Sequence, residues 1–239
     1  MNSLYLDRKL ARLTTICAVA LLCSAPLLAE RASFAGNDEG SDVPNGDRYM
    51  VTITNLTYNQ IISPPVVVTH DRDFRLFEPG MPASSELATL AEDGMTGPLV
   101  GLLMVSDGVF DYGVAEGGIP PGASRTVEVR AHGRAKMVSL AGMLISSNDA
   151  FVGLDGQALP SGSSRVMVLH APAYDAGSEV NTESCDHIPG PPCGNGGVRV
   201  TDGAEEFVHV HRGIHGTGDL DAAMKDWRNP VARIEIERY

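Results

Sequence analysis

The chain has 239 residues, with 30 Asp and Glu against 18 Lys and Arg, a formal charge of −12. Such an acidic chain repels phosphates, so a nucleic-acid partner is excluded, and it is a reasonable host for cations. The length fits one domain of the larger all-β kind, or at most two small ones.

The predicted elements begin with an export signal. Arg8, Lys9 and Arg12 form a basic stretch, and an apolar run over 13–29 ends in small residues. This is the pattern of a secretory signal peptide over 1–29, too short and wrongly flanked for a stable membrane span. Cleavage is expected after Ala29 or near Ala35. Removing 29 of the 239 residues leaves 210, with a charge near −14 because Asp7 leaves with three basic residues. Residues 30–47 are polar, Gly-rich and acidic and are expected to be a disordered leader, placing the folded domain at 48–239.

From Tyr49 the pattern alternates as a half-buried strand does. Eight strand candidates follow, at 49–57, 64–70, 99–105, 124–131, 135–145, 164–171, 206–213 and 231–239, separated by Gly, Pro, Asp and Asn. Helical signal is sparse. The segment 83–94 has Ser84 or Ser85 to cap it, Leu87, Leu90 and Ala91 at helical spacing, and Gly94 to stop it. The segment 218–230 has room for one or two turns before Pro230. Strands joined by loops, with one or two short helices, predict an all-β, eight-stranded antiparallel sandwich.

Of four cysteines, Cys17 and Cys23 fall in the signal, leaving Cys185 and Cys193 around a Pro- and Gly-rich loop. One close pair in an oxidising compartment reads as a local disulfide. The alternative is a metal site from both thiolates and His187, although a seven-residue gap is unlike the usual two-to-four-residue zinc spacing.

Four segments in order, at 70–94, 146–156, 174–183 and 230–239, resemble the spondin N-terminal domain family of extracellular matrix and secreted bacterial proteins. The carrying blocks are a His followed by "ASSELATLAEDG", the turn "SSND" and the loop "DAGSE". The resemblance covers about residues 48–239. It implies a sandwich similar to C2 domains, with calcium held by loops at one end. Carried over by motif, the implied ligands are Asp149, Asp175 and Glu179; the last is Asp in the animal members.

The residue types agree with that implication. Calcium takes six to eight oxygens, and carboxylates with backbone carbonyls supply them. Gly177 allows a bend that turns Asp175 and Glu179 inward, while Asp149 comes from a separate loop. Three acids this close repel one another without a counter-ion. Zinc would want nitrogen or sulfur, and none is expected at this place. The plainer reading is that these are solvated acids in turns, where Asp is common.

A second candidate metal set lies in "FVHVHRGIHG". His209 and His211 alternate on a predicted strand and share a face, and His215 follows a turn. Three imidazoles there would hold zinc or copper and support a metalloenzyme; the alternative is half-buried structural histidines. His70 and His132 are read as structural. No nucleophile elbow, phosphate loop or His-Glu-x-x-His motif is present. The expected function is therefore a secreted, non-enzymatic, calcium-binding module for an extracellular protein or glycan partner. Membrane docking through calcium is disfavoured by the acidity and by the lack of a basic, apolar loop.

Overall fold

The computed structural model describes residues 45–239. The predicted signal and most of the predicted leader lie outside the described residues. Ten strands and three short helices form two antiparallel sheets among the described residues, so the count of eight strands is corrected upward.

The smaller sheet contains β1 (Asp47–Asn55), β4 (Ser124–Ala131), β7 (Val166–Ala171) and β10 (Ala232–Arg238), in the order β4-β1-β10-β7. Its strands alternate as the sequence predicts. Val51 and Ile53 of β1, Val127 and Val129 of β4, and Ile234 and Ile236 of β10 are buried in one core. The opposite face is mostly polar, apart from exposed Val166 and Val168 of β7, and Thr52 and Thr54 pair across strands with Thr126 and Ser124 through hydroxyl contacts of 2.9 and 2.8 Å. Truncating Ile53 or Ile234 to Ala would cost about 2–5 kcal/mol, the usual range for a cavity in a packed core.

The larger sheet contains β2 (Val66–His70), β3 (Val109–Val114), β5 (Met137–Met143), β6 (Ala150–Ala158), β8 (Ala173–Asp175) and β9 (His209–Val210), in the order β3-β2-β5-β6-β8-β9. It is covered on both faces. Val67, Leu140, Val152 and Leu154 join the inter-sheet core. Val66, Val68, Ala141 and Phe151 face a second core with Leu87, Leu90, Leu99 and Leu103 from two helices. Burial on both faces explains why β2 is a continuous apolar run.

The helices are α1 (Ser85–Asp93), α2 (Thr96–Val105) and α3 (Ala222–Lys225). Helix α1 forms as expected: Ser84 Oγ accepts from the Leu87 amide, and Gly94 at φ 68° closes the end with its amide on Leu90 O. Helix α2 corrects the predicted strand over 99–105. Pro98 sits in the first turn, where its missing amide costs nothing, and Leu99 and Leu103 lie four apart on the buried face. Met95, Met104 and Val105 remain exposed.

Three strands were not expected. β3 and β6 carry interior glycines, which weaken a strand signal, and β8 has only three residues. Conversely, the predicted strand over 206–213 shortens to His209–Val210. The strands that end at the functional loops are thus β6, β8 and β9, side by side at one edge.

Cys185 and Cys193 form a disulfide with an S–S distance of 1.98 Å. The thiolate metal site is thereby removed. The bridge closes a loop whose Ile188 is fully buried, tying a segment without its own core to the main one.

Candidate metal centre

The site is built where β6 begins and β8 ends. Asp149 precedes β6, and its neighbour Ala150 pairs with Asp175, the last residue of β8. Asp175 in turn pairs with His209 of β9. The backbone around Asp149 is fixed by the Leu144 amide on Ala150 O at 2.8 Å and by the Ala176 amide on Asp149 O at 3.1 Å. Two residues that sequence separation keeps apart are thus set on adjacent strand ends.

Asp149 is completely buried. Its Oδ2 accepts from the amides of Ser178 and Glu179 at 2.9 and 3.1 Å and from Ser178 Oγ at 3.3 Å. Its Oδ1 is buried and has no hydrogen-bond partner. Burial, and then the neighbouring charge of Asp175, push the Asp149 carboxyl well above the usual carboxylate range. An orphaned, fully buried carboxylate oxygen is costly, and here the nearest strong influence on it is another acid.

Asp175 is 1% exposed. Its Oδ1 accepts from the Gly177 amide at 2.8 Å, and its Oδ2 from Asn181 Nδ2 at 2.7 Å. Burial raises its pKa despite those bonds. Gly177 is at φ 66°, and a Cβ there would stand 2.3 Å from Phe207 O. Glycine is required for both reasons: the left-handed backbone and the close approach of the segment leading to β9.

Glu179 is buried too. Its Oε1 accepts from Asn148 Nδ2 at 3.2 Å, and burial pushes its pKa up to about 7. Glu92, ion-paired with Arg199, is the first of the charges acting on it. None of the three expected acids is solvated, so they are not acids of an ordinary surface turn. None of them forms an ion pair with Lys or Arg among the described residues.

Among the described residues, the one group of three whose ligand atoms all lie within 4.8 Å of one another is Asp175, Glu205 and His209. Asp149 and Glu179 are not in that group, and neither are His211 and His215. His209 Nε2 is 3.7 Å from Asp175 Oδ1 and 4.0 Å from Glu205 Oε1. A nitrogen therefore does stand beside these acids, contrary to the expectation that none would. The only signal of Glu205 in the sequence is its place four residues before His209, which has no meaning outside a helix.

The three histidines have separate roles. His211 Nδ1 accepts from the Gly213 amide at 2.9 Å, and its Nε2 donates to Asn181 Oδ1 at 3.1 Å. Both nitrogens are used, and burial pushes its pKa down to about 3, so it stays neutral. His215 is exposed, and its backbone amide donates to Glu183 Oε1 at 2.6 Å. Glu183 also accepts from the Thr217 amide at 2.7 Å and so clamps that turn. His209 and His211 do share a face, as their alternation predicts, and both lie against Asp175. A cavity of about 230 Å³ opens beside Asp175, lined by Asn181, Glu183, His211, Arg212 and His215. His70 is structural: its Nδ1 donates to Asp71 O, and its Nε2 contacts Ser139 Oγ, both at 2.7 Å.

The Spondin_N family model matches residues 55–187, more than half of the chain. The chain belongs to the Spondin_N family. Curated proteins give no match to it. The matched segment of this Spondin_N protein carries Asp149, Asp175 and Glu179, while Glu205 and His209 lie beyond it. The family, the two antiparallel sheets and the disulfide make it an extracellular-type β module. No helix among the described residues is long and apolar enough to cross a membrane.

Proposed function

We propose that the protein is a secreted, non-catalytic binding module whose loop end is stiffened by a calcium ion. Asp149 and Asp175 would hold the ion. Glu179, from the loop after β8, and Glu205, from the segment before β9, are the carboxylates that would complete its shell. Calcium would supply positive charge to buried carboxylates and join loops that the chain otherwise leaves separate.

The single observation that carries this reading is the orphaned Oδ1 of fully buried Asp149 beside Asp175. Without a cation, folding must bury two carboxyl groups against each other. With one, the unpartnered oxygen gains a ligand bond and the repulsion is reversed. The stiffened loops, with the cavity beside Asp175, would then meet an extracellular protein or glycan.

A calorimetric titration of chelator-treated protein with calcium tests the reading. At 100-fold excess over Kd, binding should add about 2.7 kcal/mol to folding stability. Asp149→Asn should remove both the heat and the rise in Tm. If calcium produces neither in the wild-type protein, the reading is wrong.

A further inference from the structure

We propose that His209, Glu205 and Asp175 form a mixed nitrogen–oxygen site beside Asp149, able to take a borderline divalent ion of the zinc class as well as calcium. This rests on the reading above that a cation binds there, and it names which further metal class the site accepts and through which atoms.

The imidazole is the first argument. His209 Nδ1 lies 3.2 Å from Val210 O, and a carbonyl oxygen only accepts, so Nδ1 carries the proton. In the neutral ring this leaves the Nε2 lone pair directed at Asp175 and Glu205. That nitrogen is buried and has no hydrogen-bond partner. Its separations of 3.7 and 4.0 Å from the two carboxylates are too long for hydrogen bonds. An Nδ1–H held by a backbone carbonyl, with Nε2 free, is the usual support for a metal-ligating histidine.

The second argument is that unpartnered buried atoms gather at this place. Three polar atoms are buried without a partner among the described residues: Asp149 Oδ1, Glu205 Oε2 and His209 Nε2. Two belong to the Asp175 group itself, and the third belongs to Asp149, whose carboxyl is repelled by the charge of Asp175. Asp175, Glu205 and His209 offer two carboxylates and one nitrogen within 4.8 Å of one another. Three protein donors with water in the fourth position make a tetrahedral zinc shell, whereas calcium needs several more oxygens from carboxylates, backbone or water.

Spacing fits this use. Zinc bonds of about 2.0–2.2 Å place tetrahedral ligands roughly 3.3–3.6 Å apart. The distances of 3.7 and 4.0 Å need only a small contraction to reach that spacing. The histidine belongs to a two-residue strand at the sheet edge, and Glu205 is partly exposed, so both can move by that amount.

The test is a parallel titration of chelator-stripped wild type, His209→Gln and His215→Gln with zinc alone and with calcium alone. The wild type should bind one zinc and one calcium in competition. His209→Gln should weaken zinc at least about tenfold, since loss of even a supporting partner costs that much, and should leave calcium binding in place. His215→Gln should match the wild type with both metals. Calcium binding without zinc binding, or zinc binding unchanged in His209→Gln, overturns this inference alone. Binding of neither metal removes the calcium reading with it. A wild-type cobalt(II) spectrum guards against a misfolded variant: tetrahedral bands with one nitrogen ligand support the site, and an octahedral, all-oxygen spectrum overturns it.

Discussion

Glu179→Gln offers a prediction with a sign and a magnitude. Burial holds the Glu179 carboxyl at about 7 in the folded protein, against an ordinary value of 4.5. At 1.36 kcal/mol per unit, that difference corresponds to about 3 kcal/mol. The folded pKa is raised, so the folded chain binds the proton more tightly than the unfolded chain. The penalty is absent below pH 4.5, grows between 4.5 and 7, and is complete above 7. Glutamine keeps an oxygen for Asn148 Nδ2 and carries no charge. In chelator at pH 8, Glu179→Gln should therefore gain about 3 kcal/mol relative to wild type, and the gap should narrow by about 2–3 kcal/mol at pH 5. Urea unfolding of both proteins at both pH values measures this. Taking the difference between proteins removes the contribution of His211, which is held down at about 3 and destabilises the fold as pH drops below 6.5. A stability difference that stays constant with pH would refute the claim that Glu179 is a strained buried acid.

Other predictions concern the frame of the site. Gly177→Ala should cost at least about 2 kcal/mol, because a left-handed φ alone costs 1–2 kcal/mol for an L residue; the contact with Phe207 O adds to it, and a urea melt reads the sum. The same variant should weaken calcium binding, since displacing Phe207 moves Glu205. Asp149→Asn should keep or raise metal-free Tm, as it removes one of two opposed buried carboxyls, while abolishing the calcium increment in a thermal scan. Replacing Cys185 and Cys193 by Ser should cost about 2.5 kcal/mol from the loop-closure relation, measured by urea unfolding under oxidising conditions.

Much of the fold was legible because the smaller sheet has one wet face. Its strands alternate with period two, and β1, β4, β7 and β10 were all read from that pattern. The helix α1 was legible from Ser84 and Gly94, whose capping roles are local. The larger sheet was harder for a physical reason. It is buried on both faces, so its strands lose alternation, and an apolar segment over 99–105 that covers it looks like one of them. Pro98, which suits a first helical turn, is the sequence clue to α2 that outweighs the β-branched residues.

The burial of the candidate acids was legible only through the motif blocks. Asp149, Asp175 and Glu179 were named from motif blocks, and the structure buries all three at one end of the larger sheet. Sequence spacing does not convey which side chains stand within ligand distance of one another. Glu205 and His209 come to Asp175 through the pairing of β8 with β9, a contact between residues more than 30 apart in the chain. His211 shows the converse. Its place in a histidine-rich motif invites a metal role, but both of its nitrogens are taken by Gly213 and Asn181.

Crystals of the protein grown in calcium, with anomalous data collected at long wavelength, test the central claim most directly. The account predicts one strong peak at about 2.3–2.6 Å from Asp149 Oδ1 and from an Asp175 oxygen. A map without a peak there, with Asp149 Oδ1 bonded to a protein donor or to water, would contradict it.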